Sequence, residues 1–487
     1  MPGIVVGMSK YGAATRPWAV LAVVCAAQFL TIVDLWIVNI ALPSLRHSFA
    51  PASLSAVSWV LDAYAIVLTA VLVPAGRIAD DAGRRACFLA GLAGFGLASL
   101  GCGLAPELPV LIGFRVLQAA AAALLMPVTL GLALPAFPAA QRGTVIGIWS
   151  AVAGMAAAGG PVLGGLLVAV NWRWIFLINV PVVAAALAAA VRLLPRGVRR
   201  VRPSWPDPLG TLLVLCATGL VCLALTEAPA WPAVRTAVVL GSGLILAVAF
   251  VRHIRTVRGP LVSPRIFAAG TIGAGAAGLV SYYLGFGALL LGTTLLLTGM
   301  HYTALHVALA IAPAPAMNTV LSPLSGHLVT RLGSRRVVVM GSALFATAAA
   351  LPLLHAGHMS YPAIVLPSML LWGTANALIY PTLFATADTV PPAELTSGLG
   401  VLNMARQLGA ALGIALAVPL LGRASPESAA VVPAGTLPQA GHAWLLVLAS
   451  AVLTGAAGFA LSGPRQRRVR NQPEISPDSD RQKQNTG

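Results

Sequence analysis

Long apolar runs, cut at intervals by Gly, Pro and charged residues, set the rhythm of this 487-residue chain. At about 20 residues, each run can cross a bilayer as a helix. Fourteen spans are expected. The first six are centred near Asp34, Leu68, Phe95, Gln118, Gly154 and Val183, and two more near Leu215 and Leu244. The last six are centred near Leu289, Pro315, Ala346, Gly373, Gln407 and Ala451. Basic stretches follow the sixth span (RLLPRGVRRVRPSWPDPLG) and the eighth (VRHIRTVRGPLVSPRIF). The chain therefore divides into an N-terminal segment (1–17), a six-helix bundle (18–194), a basic linker (195–208) and two inserted helices (209–251). A second linker (252–268), a second six-helix bundle (269–463) and a polar tail (464–487) complete it. The tail is short of apolar residues and is expected to be disordered.

Composition fixes the class as an integral, all-α membrane protein. Hydrophobic residues make up 58% and charged residues 9%, with mean hydropathy +0.88; a soluble domain carries about 25% charged residues. The formal net charge of +17 suggests nucleic acid until its distribution is read. Lys10, Arg16, Arg77, Arg84, Arg85 and Arg142 fall on one side, with clusters at 192–202, 252–265, 331–336 and 465–483. The other side holds only Arg46, Arg173, Arg235 and Arg423. This asymmetry predicts both termini in the cytoplasm of a multi-pass cell-membrane protein. It makes anionic lipid head groups, not nucleic acid, the partner of the basic charge. The first apolar stretch is too long for a signal-peptide core and is read as retained. Cys25, Cys87, Cys102, Cys216 and Cys222 lie in or beside apolar spans and imply neither a disulfide framework nor a metal cluster. No Gly-rich phosphate loop with its Lys is present, which argues against ATP as the driving force. The histidines are scattered, and His355 and His358 have no acid cluster beside them. No cofactor, metal, enzymatic activity or obligate protein partner is expected.

Candidate chemistry lies in the few polar residues inside spans. Asp34 in FLTIVDLWIVNIALPSL costs several kcal/mol or more as an unpaired anion, so it faces a wet cavity, pairs with a cation or binds a proton. A packing Asp is the plain alternative. In LIGFRVLQAAAAALLMP, Arg115 is a full charge in an apolar helix, with Gln118 three residues on over the same face. Arg115 and Asp34 fall within about one helical turn of each other in depth. A neighbouring cation favours the charged carboxylate and burial disfavours it, so moving the Arg switches the proton; a static ion pair is the alternative. GRIADDAGRR at Gly76 recurs as GHLVTRLGSRR at Gly326, in corresponding loops of the two halves, as a duplicated transporter requires. Gly76 permits close helix approach, Gly83 a positive-φ turn, Asp80 a pairing or capping role, and Arg84 and Arg85 lie at the head groups. A topogenic loop and a conformational latch both fit. In GIWSAVAGMAAAGGPVLGGLL, Gly160, Gly164 and Gly165 offer flat packing surfaces, and Pro161 favours a kink that suits a hinge.

Together these residues resemble the major facilitator superfamily in its fourteen-span drug:proton antiporter branch (the EmrB/QacA type). The resemblance covers roughly 15–460. It rests on Asp34, Val38, Asn39, Ala41, Leu42 and Pro43 in the first span, on GRIADDAGRR, on Arg115 with Gln118, and on GGPVLGG. NWRWIFLINVP (171–181) and ARQLGAALG from Ala405 add to it. Three departures stand out: Trp36 where the branch usually has Thr, Asp81 for a basic residue, and Ala119 for a Gly. In the second loop Thr330 takes the place of the acid.

The resemblance implies a proton-coupled antiporter exporting small hydrophobic, often cationic, drugs by alternating access of the two bundles, driven by the proton gradient. Asp34 becomes the coupling acid, Arg115 its partner and the Gly160–Pro161 region a seal against leak. Trp36, Asn39, Tyr64 and Gln118 are candidate cavity residues. Asp62 joins them as an attractor of cationic drugs, with helix-entry capping as its alternative. Trp59 and Trp172 suit interfacial anchoring, and Arg406 either senses state or bonds carbonyls. An exporter dedicated to one metabolite or self-made antibiotic uses the same fold, and almost exclusive use of Arg over Lys with abundant Ala suits a GC-rich bacterial genome. A non-transporting membrane sensor is the reading from a different class.

Overall fold

A computed structural model describes residues 17–195, 207–228, 230–267, 270–302, 304–355, 360–420 and 437–461. The N-terminal segment before Pro17, most of the 195–208 linker, His358, Arg423 and the tail from 464 lie outside the described residues. Fourteen helices among the described residues are long and apolar enough to cross a membrane, as the sequence predicts. No strand occurs among the described residues. In hydrocarbon every backbone N–H and C=O must be satisfied within its own segment, which a helix does.

The first six spans are α1 (Pro17–Ser48), α2 (Ser55–Ala82), α3 (Arg84–Leu104), α4 (Leu108–Ala136), α5 (Ala139–Val170) and α6 (Trp174–Leu193). Next come α7 (Pro208–Glu227) and α8 (Ala233–Thr256). The last six are α9 (Thr271–Thr298), α10 (His306–Leu332), α11 (Ser334–Leu354), α12 (Tyr361–Thr389), α13 (Leu395–Val418) and α14 (His442–Ala460). Gly83 (φ 103°) and Gly333 (φ 83°) turn the chain from α2 to α3 and from α10 to α11, at corresponding places in the two loops of the repeat. A side chain at either position would be strained.

Within the first six spans, α4 is packed by α1, α2 and α3, and α1 by α5 and α6. Within the last six, α9 lies on α13 and α14, and α12 lies on α10 and α11. Two seams join the sets, α2 with α13 and α5 with α10. Glycines set their closeness. A Cβ at Gly76 would stand 2.5 Å from the Thr396 carbonyl oxygen, and one at Gly400 2.6 Å from that of Leu72. On the second seam Gly143 and Gly326 meet backbone to backbone, while Gly147 lies against Ser322 and Gly154 against Asn318. Small residues let backbones approach closely where lipid gives no hydrophobic drive between helices.

The inserted pair is peripheral. Helix α7 rests on α2 and α13, and α8 rests on α7. Only 6% of the apolar window of α8 is buried, so nearly all of that helix is left for lipid. Asp207 caps α7 by accepting from the Gly210 N–H (2.9 Å) and ties it to α8 through His253 Nε2 (2.7 Å). Burial works against its charge, but donors from Gly210, His253 and Leu261 outweigh it and hold the carboxyl below its usual range.

Candidate functional site

The centre of the first bundle is a polar network with no exposure. Arg115 Nη1 donates to Asp34 Oδ2 at 2.7 Å, and both side chains are fully buried. Gln118 Nε2 donates to Asp34 Oδ1 at 3.0 Å, so each carboxylate oxygen has a donor. Arg115 Nη1 also reaches Gln118 Oε1 (2.8 Å), and Arg115 Nε reaches the Val60 carbonyl on α2 (3.1 Å). The guanidinium lies 4.0 Å from the Tyr64 ring centroid. The three-residue spacing of Arg115 and Gln118 on α4 turns both toward α1. A carboxylate held this way cannot take a proton without giving up an ion pair.

The network extends to residues the sequence did not single out. Gln118 Nε2 lies 3.1 Å from Ser99 Oγ on α3, which accepts from Asn179 Nδ2 on α6 (3.0 Å) and donates to the Phe176 carbonyl (3.0 Å). Asn179 follows the break in α6 at Ile178. It lies inside NWRWIFLINVP, the stretch that had marked it, though not as a site.

The expected cavity residues do not form one group. Tyr64 and Gln118 belong to the buried network, both fully covered. Trp36 stands over Gly160 on α5, where an added Cβ would meet its Cβ at 2.9 Å. Asn39 is exposed and bonds its own helix at the Leu35 carbonyl (2.9 Å). The placement of Asp62 with them is corrected: it lies on the α2 face toward α7, with Ser58 as its hydrogen-bond partner and Glu227 as its charged neighbour. Val60 and Tyr64 face Arg115, and two residues along a helix turn Asp62 roughly 200° away from either. In the GGPVLGG stretch, Gly160 and Gly164 pack on Trp36 and Ile37 of α1, but Gly165 faces open space. The expectation of close packing at Gly165 is therefore also corrected. Pro161 sits within an unbroken α5.

At the basic end the Gly76 loop bonds the two sets of helices together. Asp80, on α2, accepts from the N–H groups of Thr396 (3.2 Å) and Ser397 (2.8 Å) and from Ser397 Oγ (2.8 Å) at the start of α13. An anion at a helix N-terminus satisfies orphan donors and complements the dipole. Arg84 pairs with Asp80 (3.0 Å) and donates to Thr396 Oγ1 (2.7 Å) and the Pro392 carbonyl (2.5 Å). Arg85 instead ties the loop to α6 through the Val191 carbonyl (2.7 Å). In the second copy, Gly326 meets Gly143 directly and the exposed Thr330 bonds its own helix. The nearby crossing contact is the half-exposed pair Arg142–Asp388 at 3.2 Å. The two loops thus make different contacts across the halves: the first through Asp80, the second, with Thr330 at that place, through backbone.

Among the described residues, no group of three or more His, Cys, Asp or Glu is placed to hold a metal. All five cysteines are free.

A buried ion-pair network in one six-helix set, facing a second set across glycine seams and a cluster of charged contacts, is the architecture of a polytopic membrane transporter. The model of the Major Facilitator Superfamily matches residues 24–414, and the chain belongs to that family, among its multidrug-efflux-type transporters. It is 34% identical over 450 residues to the puromycin resistance protein of Streptomyces alboniger, covering 90% of this chain and 89% of that one. It is 32% identical over 461 residues to the tetracenomycin C resistance and export protein of Streptomyces glaucescens, covering 87% and 84%. A crystal structure of a double-tryptophan variant of XylE superposes with TM-score 0.66 at 14% identity, over 92% of this chain and 96% of that one. This last likeness speaks to the fold alone.

Proposed function

We propose that this protein is a proton-coupled antiporter that exports small, largely hydrophobic compounds from the cytoplasm by alternating access. The observation that carries the reading is the fully buried Asp34–Arg115–Gln118 network, linked through one helix to a latch between the halves. With the basic end cytoplasmic, the latched arrangement is closed inward, and a proton from outside reaches Asp34. Protonation removes the charge that holds Arg115 Nη1 and loosens the same guanidinium's bond to the Val60 carbonyl of α2. Asp80 lies 20 residues further along α2, about 30 Å away. A shift or rotation of this rigid helix carries the proton's effect to the Asp80 cap on α13, and the cytoplasmic side opens. Substrate then binds, the proton leaves Asp34 inward, and the ion pair reforms. The membrane potential adds about 2.3 kcal/mol per charge per 100 mV to each inward proton. Protein, proton gradient and membrane suffice for this cycle.

A narrower reading, export of a single compound, is favoured by the names of relatives that confer resistance to or export one antibiotic. The test is proton release from acid-loaded proteoliposomes on addition of a panel of dyes and antibiotics. Release with several unrelated compounds, absent in Asp34→Asn, supports multidrug antiport, and release with one compound supports the dedicated exporter. Equal release in both proteins, or none with any compound, refutes proton coupling through Asp34.

A further inference from the structure

The first bundle balances its buried charges, Asp34 against Arg115, and the second does not. Arg406 lies eleven residues into α13, about 16 Å along it and near mid-membrane. It is only 7% exposed. Among the described residues no carboxylate pairs with it. Its Nη2 points at Met126 Sδ of α4 across the gap between the halves (3.8 Å), and its Nε has no hydrogen-bond partner. An uncompensated guanidinium at this depth is costly and marks a functional position.

Its surroundings are aromatic and rich in unused donors. The guanidinium lies 5.6 Å from the Tyr283 ring centroid and also donates to the Tyr283 hydroxyl. From Tyr283 the rings continue to Tyr380 at 6.1 Å and, through Phe286 at 5.1 Å, to Trp372 at 4.9 Å. Trp372, Asn376 and Tyr380 stand at four-residue spacing on one face of α12. Tyr64, from the first bundle, lies within electrostatic range of Arg406. The hydroxyls of Tyr64 and Tyr380 and Asn376 Oδ1 are buried without partners, whereas Trp372 has the Tyr282 hydroxyl beside it as a hydrogen-bond partner. Native proteins rarely strand so many buried polar atoms in one place. With Arg406 Nε, three of these four atoms can donate, so what completes them is an acceptor.

We propose that Arg406 and its ring of aromatic donors form the substrate site, and that the site takes planar aromatic organic anions bearing a carboxylate or phenolate. Rings stack on Tyr283, Tyr380 and Trp372, and the anionic oxygens accept from Arg406. This departs from the expectation of cationic substrates. Aromatic faces attract cations, but a full like charge at contact range opposes them more strongly. The inference rests on the export reading for the site's place in a transport cycle, not for its charge preference.

The test measures binding of carboxyfluorescein and of rhodamine 6G, an anion and a cation of similar ring size, to the purified full chain in nanodiscs by fluorescence polarisation. Wild type is expected to bind the anion at least tenfold more tightly than the cation. Arg406→Gln lowers anion affinity at least tenfold and does not weaken the cation, and Arg406→Lys falls between. Wild type that prefers the cation, or that binds no member of a panel of aromatic carboxylates, overturns the proposal; so does unchanged anion affinity in folded Arg406→Gln. If the Gln variant does not fold, the wild-type preference and the Lys variant decide. Proton release from proteoliposomes separates this from the export reading. Anion binding that depends on Arg406 without proton release keeps the site and sinks the coupling. Proton release driven by cations and indifferent to Arg406 does the reverse.

Discussion

Asp80→Asn is the sharpest perturbation of the latch, because it removes a charge and almost no volume. In the latched arrangement the carboxylate accepts three bonds from the start of α13, two of them at 2.8 Å on Oδ2, and its side chain is only 1% exposed. The bond to Arg84 is four residues away at the same helix junction and persists when the halves part, so it drops out of the difference. A hydrogen bond to a charged group contributes about 1.5–3 kcal/mol, against about 1 for a neutral one. Asn keeps one carbonyl oxygen for these donors, and its NH2 faces the other side as a clash of donors. Losing one charged bond and weakening the rest destabilises the latch by about 3 kcal/mol, or roughly 100-fold in the ratio of closed to open forms. Spin labels at exposed Ala140 and Arg336, in a background without the five cysteines, report the distance between halves at the basic end. A closed form in roughly 100-fold excess in wild type becomes comparable with the open form in Asp80→Asn. Thr330→Ala, in the corresponding loop without the acid, leaves the distances alone. An unchanged distribution in folded Asp80→Asn refutes the latch, as does an equal response to Thr330→Ala.

The buried network predicts an uneven pair of defects. Arg115→Gln strands the Asp34 carboxylate and costs about 3–5 kcal/mol, while the double change with Asp34→Asn recovers most of it. Melting curves in one detergent test this, and a double variant no more stable than Arg115→Gln contradicts the ion pair's role. Ser99→Ala removes the acceptor shared by Gln118 and Asn179 and costs about 1–3 kcal/mol; an unchanged melting temperature argues against its place in the network. On α5, Gly160→Ala forces a Cβ against Trp36 and slows transport, whereas Gly165→Ala faces open space and is tolerated. Equal transport rates for the two would show that the α1–α5 contact does not matter to the cycle.

What could be read in advance follows a physical divide. Asp34 and Arg115 were legible because ionised groups in apolar helices are too costly to be incidental, and Gln118 because three residues place it over the same face. Ser99 and Asn179 were not, since hydroxyls and amides in such helices commonly bond their own backbone, as Asn39 and Thr69 do here. The direction of Asp62 was likewise closed to sequence. Apart from Ser55 and Ser58 its neighbours on α2 are mostly apolar, so nothing in the sequence fixes the helix's rotation until Val60 and Tyr64 are seen against Arg115. The missing acid at Thr330 could be read, but the backbone contact between Gly143 and Gly326 could not, because the two glycines belong to different halves. Arg406 shows the same divide at its widest. Its charge announces a function, yet the groups that decide which function come from Met126, Tyr283 and Tyr380 on three other helices. A lone guanidinium in an apolar span is equally a carbonyl-bonding brace or a substrate anchor. Arg406 spends Nη2 on Met126, yet its Nε and the hydroxyls of Tyr64 and Tyr380 are left without partners and with no carboxylate among the described residues to balance the charge, and that combination favours the anchor.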